Sequence, residues 1–200
     1  HIPIAFAALL APLLGINPAC LLLLPVHVVL LELVIDPTCS IVLERQPAET
    51  DIMERPPRKM NEKLIDINSL TKSLFQGFAI FGAAFGTYLT FLEQYPDNAA
   101  LARTMGLTIM FISNMLLVHV NSSESELAIR SILRLRGDKV IAAVNIGVIL
   151  GLIIMLYTPF ADVLKLAPLT WQEIILAVGI ACASVLWYEI VKLVRLGMTK

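Results

Sequence analysis

The sequence predicts an all-α membrane protein: six transmembrane helices, the first one truncated and the second unwound near Asp36-Pro37. Three observations carry that reading. The 200-residue chain is 58% hydrophobic and 16% charged, with a mean hydropathy of +0.80, more apolar than soluble domains of this size. Its apolar residues come in runs close to the ~20 needed to cross a bilayer. Its charges cluster in the links between those runs.

The first segment, Ile2–Leu14, is too short for a full span and is ended by Gly15, Asn17 and Pro18. With no charged leader before it, it reads as part of a helix cut from a longer protein. The second, Ala19–Leu43, is long enough but is interrupted at Asp36-Pro37. The others are Leu70–Leu92, Leu101–Val120, Val140–Tyr157 and Trp171–Val194, each long enough to span with tilt. Gly82 and Gly86 form a small-xxx-small pattern in the third segment, the kind that lets two helix backbones approach. It reads as a packing face. Cys20, Cys39 and Cys182 fall in apolar segments without paired spacing and read as small buried hydrophobes.

The links set the orientation. Of the 15 basic residues, only Arg103 and Lys165 fall outside the Glu44–Lys72 link, the Asn121–Lys139 link and the C-terminal tail. The positive-inside rule puts those three regions in the cytoplasm, and both ends of the chain with them. Tyr95, Tyr157 and Trp171 then fall at the outer interface, where aromatic belts form. The expected location is the cell membrane, as a multi-pass protein with the lipid bilayer as solvent.

Glu32 and Asp36 are the residues most suited to chemistry. Acidic groups at bilayer depth cost several kcal/mol and usually serve a function. Four apart, they share one helix face. Pro37 has no N–H to return to the Leu33 carbonyl. Two carboxylates and a freed carbonyl make an oxygen-rich site of the kind hard cations bind. Asn114, in mid-segment, offers a further oxygen, although intramembrane Asn also bonds neighbouring helices. His27 reads as a packing or interfacial histidine. Gln76, Ser73 and Thr71 read as polar rim. Glu189 and Lys192 read as an interfacial i,i+3 pair. Pro3 is expected to distort the first helix. There is no phosphate-binding loop, nucleophile elbow or zinc spacing, and the basic residues follow topology, so nucleic acid is not an expected partner.

Pro25-Val26-His27 through Asp36, followed by Asp51-Ile52-Met53-Glu54-Arg55-Pro56-Pro57-Arg58, resembles the membrane C-terminal half of P-type cation-transporting ATPases, especially the calcium-pump branch. Ala102-Arg103-Thr104-Met105 and the stretch from Thr170-Trp171 to Glu189–Lys192 are similar to the same family. The resemblance covers essentially the whole chain. It implies that residues 1–200 are the transmembrane ion-transport domain of such a pump, comprising the last six of ten helices. It also implies an aspartyl-phosphate formed from ATP. No catalytic residue lies in this chain: ATP and Mg2+ would bind in cytoplasmic catalytic domains absent from it, which the 44–68 loop would contact. The implied cargo is a cation, calcium first.

Residue by residue, the resemblance makes Asp36 an ion ligand. Glu32 stands where calcium pumps have Asn, and Asn114 where they have a Glu ligand. Ile35 replaces a Thr ligand, and Pro37 replaces Gly. His1 falls at an Asn ligand position and Ile4 at a Glu ligand position. The expected metal ligands are therefore Glu32, Asp36 and Asn114. One divalent ion, or a monovalent ion or protons, fits this altered set better than two calcium ions. The rival reading is a cation channel or secondary transporter, whose sites also use broken helices and midplane carboxylates. A membrane scaffold without an ion path is a second rival, set against the cost of burying Glu32 and Asp36.

Overall fold

A computed structural model describes residues 1–45, 53, 67–122, 128 and 138–198. The helices are α1 (Ile2–Leu13), α2 (Pro25–Glu44), α3 (Ile67–Gln94), α4 (Ala99–Val120), α5 (Lys139–Tyr157), the single-turn α6 (Phe160–Val163) and α7 (Trp171–Met198). No strand occurs among the described residues. Among the described residues five helical segments are long and apolar enough to cross a membrane, and α1 is the shorter apolar helix the sequence predicts. The Asp51–Arg58 motif lies outside the described residues, apart from Met53.

The bundle is organised around α4. Every residue from Leu101 to Phe111 is buried, because α2, α3, α5 and α7 all pack against this helix. Gly106 permits the tightest approach: a Cβ there would meet Leu22 Cδ1 at 2.5 Å and the Ala84 carbonyl at 3.1 Å. Gly77 does the same between α3 and α1, where a Cβ would lie 2.8 Å from Ile2 Cβ. The expected packing pair behaves otherwise. Around Gly82 and Gly86 nothing among the described residues comes within 4 Å of an added Cβ. Small residues permit close approach, but a neighbour must also be present.

A second correction concerns α2, which runs unbroken through Asp36-Pro37. Proline deletes one helical hydrogen bond, and one is too few to unwind a helix packed against α4 and α5. The next residue, Thr38, adds a side-chain bond from Oγ1 to the Val34 carbonyl at 2.6 Å. The irregular backbone lies earlier, in a 3-10 turn at Pro18–Cys20 and the non-helical stretch Leu21–Leu24, ending where Pro25 opens α2. Irregular backbone inside a bundle must have its polar groups satisfied by protein. Here Tyr88 Oη donates to the Cys20 carbonyl at 2.6 Å, and Arg103 donates to the carbonyls of Ala19 and Leu21 at 2.8 Å.

His27 closes the same region. It is fully buried, and its Nδ1 accepts the Leu24 N–H at 3.2 Å. That bond places the ring proton on Nε2, which donates to the Leu164 carbonyl at 2.8 Å. The residue joins the start of α2 to the turn after α6, a packing role. Pro3 sits in the first turn of α1, where its missing N–H breaks no bond of that helix.

At the other end of the bundle, polar groups expected at a rim lie inside. Gln76 is 2% exposed and exchanges two amide hydrogen bonds with Asn121, at 3.2 and 3.1 Å. Lys192 is 2% exposed, donates to the Val120 carbonyl and pairs with Glu189 at 3.0 Å. Glu189 in turn accepts the Ala128 N–H at 2.8 Å. In a bundle this apolar, burying each polar group against a specific partner fixes how the helices meet.

Candidate cation site

The packing of α1 on α3 positions the site. Ile2 lies over Gly77, so the first turn of α1 approaches α3 closely and His1 is carried to the edge of α2. Glu32 and Asp36, one turn apart on α2, project toward it. His1 Nδ1 lies 2.9 Å from Glu32 Oε1, and His1 Nε2 lies 3.5 Å from Asp36 Oδ1. One donor atom from each residue falls within 4.8 Å of the other two.

The cluster is at the margin of the bundle rather than in its core. The side chains of His1, Glu32 and Asp36 are 66%, 36% and 59% exposed in this chain. Leu31 is fully buried and Val34 and Ile35 pack on the core, whereas Leu33 and Pro37 are exposed. The two carboxylates thus lie on the exposed side of α2, together with Val29 and Leu33. Two acids beside one imidazole attract a cation by Coulomb forces that strengthen wherever water is excluded.

Asn114 is placed differently. Its Nδ2 donates to the Met110 carbonyl at 2.8 Å, within α4. Its side chain borders a cleft of about 180 Å³ that His1, Ser73, Gln76 and Asn121 also line. It therefore adjoins the His1 side of the cluster through that cleft, with no direct hydrogen bond to Glu32 or Asp36. The sequence alone paired the two carboxylates. It did not find His1 as their partner, and the signal for it was the family resemblance, which sets His1 at an Asn ligand position. Arg103, one of the two basic residues outside the three cationic regions, is a buried clamp. An arginine at the start of an otherwise apolar helix was the available sign.

The five helical segments of membrane-spanning length and composition define a multi-pass membrane protein, and His1, Glu32 and Asp36 converge at the margin of its bundle. The chain belongs to the family described as Cation transporting ATPase, C-terminus, which matches residues 20–194. It is 25% identical over 159 residues to the Calcium-transporting ATPase of Bacillus subtilis (strain 168), a match covering 80% of this chain and 18% of that protein. The chain thus spans under a fifth of the length of this curated relative.

Proposed function

We propose that residues 1–200 are the membrane ion-translocation domain of an ATP-driven cation pump, with Glu32 and Asp36 as cation ligands. The observation that carries the proposal is the convergence of His1 with both carboxylates on adjoining helices. The cation is divalent, and calcium is the ion that the name of the Bacillus relative puts forward. Asn114 acts from the adjoining cleft. The Glu44–Lys72 link and both ends of the chain face the cytoplasm, and the 44–68 loop meets the catalytic domains that bind ATP and Mg2+. Family membership favours this reading over a channel or secondary transporter.

The test is phosphorylation of the full-length protein from ATP across a panel of cations. Acid-stable phosphoprotein that forms only with a divalent cation, and is lost in Asp36→Asn, supports the pump. Cation flux without phosphoprotein would favour the channel.

A further inference from the structure

His1 is the donor that a calcium pump does not require. Calcium takes six to eight oxygen ligands in a roomy, flexible shell. The cluster supplies two carboxylates and one imidazole nitrogen instead. Two positions where the resemblance places oxygen ligands are apolar: Ile4 is buried and Ile35 packs on the core. The backbone of α2 adds little. The helix is unbroken through Asp36, and the Val34 carbonyl already accepts from Thr38. Only the Leu33 carbonyl is spared its helical partner, by Pro37. Unbroken helix and these apolar replacements thus reduce the oxygens offered to calcium beside the two carboxylates, leaving Asn114 and the polar side chains of the adjoining cleft as the remaining sources.

Imidazole suits first-row transition cations, which accept mixed nitrogen and oxygen donors at low coordination number. Such ligands sit about 2.0–2.2 Å from zinc, hence roughly 3–4 Å from one another. Glu32 and Asp36 meet different ring nitrogens of His1, at 2.9 and 3.5 Å, and one donor atom from each residue lies within 4.8 Å of the other two, so binding draws the three together by side-chain rotation. Resting on the pump reading, we infer that the site selects a first-row transition divalent cation over calcium, with one His1 ring nitrogen and the Glu32 and Asp36 carboxylates as ligands.

The experiment titrates the full-length protein in nanodiscs with Zn2+ and Ca2+ by calorimetry and with Co2+ by visible absorption. Zn2+ is expected to bind at least tenfold more tightly than Ca2+. His1→Asn exchanges the nitrogen for an oxygen donor. It is expected to lower Zn2+ affinity at least tenfold, change the Co2+ spectrum, and leave Ca2+ affinity equal or higher. Wild-type protein that binds Ca2+ as tightly as Zn2+ would overturn the inference while leaving the pump reading intact, and this comparison needs no variant. An unchanged Zn2+ to Ca2+ ratio in a His1→Asn protein of normal melting temperature would also overturn it. Undiminished binding of every cation by Asp36→Asn would remove the site and the pump reading together.

Discussion

The Arg103 guanidinium on α4 holds the Lys165 carbonyl at 2.6 Å, and Lys165 is, among the described residues, the non-glycine residue with a left-handed backbone, at φ 52°. The same guanidinium reaches Leu21 and Ala19 through its other nitrogens, so one side chain joins the turn before α2 to the turn after α6. A planar fork serving three carbonyls is a geometry that lysine cannot reproduce. Arg103→Met leaves three part-buried acceptors without their donor, at up to about 1–3 kcal/mol each, partly relieved by water and relaxation. We expect a loss of about 3–5 kcal/mol, read as a lower melting temperature in detergent, and a smaller loss for Arg103→Lys. A change within about 0.5 kcal/mol for Arg103→Met would show that the clamp is dispensable.

The glycines separate in the same assay. Gly106→Ala drives a Cβ against a backbone oxygen, which cannot swing away, and is expected to destabilise by about 1–3 kcal/mol. Gly82→Ala meets open space and gains helix propensity, so it is expected to be neutral or to stabilise by up to about 1 kcal/mol. Equal destabilisation by both would contradict the packing described.

These glycines also mark what the sequence could tell. Segment length and hydropathy depend on the chain alone, so all six apolar helices were legible, with ends displaced by a few residues. Which glycine is pressed against a neighbour depends on tertiary placement, and the GxxxG pattern pointed to the open pair. The same holds for Pro37, since a proline's effect on a helix depends on the packing that holds it. The Glu32–Asp36 pair was legible because period and polarity suffice to define a shared face. His1 as its partner, and the burial of Lys192 and Glu189, required a third helix to be in place.

Arg45 and Asp138 give a prediction in pH. Arg45 Nε donates to Asp138 Oδ2 at 2.8 Å, and that bond, ahead of the Val140 and Ile141 amides, holds the Asp138 carboxyl below its ordinary value of 3.8. A carboxyl depressed on folding adds stability above its unfolded value, and that stability is lost as pH falls through the folded one. Asp138 is therefore expected to remain ionised at pH 3.8, when an unfolded chain is half protonated. Carboxyl-carbon NMR measures this directly. Arg45→Gln is expected to raise the midpoint, and an unmoved midpoint would assign the shift to the helix amides alone.

Asp36 and Asn114 are expected to part company when each is replaced. Asp36 offers its carboxylate to the cluster shared with His1 and Glu32, so Asp36→Asn removes a formal charge from the donor set itself. Asn114 has its amide nitrogen committed to Met110 and meets the cluster only through the cleft that His1 borders. Its replacement acts on a supporting contact, and such contacts cost about 10–100-fold in metal affinity or activity. We therefore expect Asp36→Asn to abolish cation-dependent phosphorylation of the full-length protein. Asn114→Leu is expected to retain it, with the half-saturating cation concentration raised about tenfold. The measurement is phosphoprotein yield against cation concentration for both variants. Complete loss in Asn114→Leu, with normal folding, would make Asn114 a direct ligand and require the cleft to close onto Glu32 and Asp36 when the ion binds.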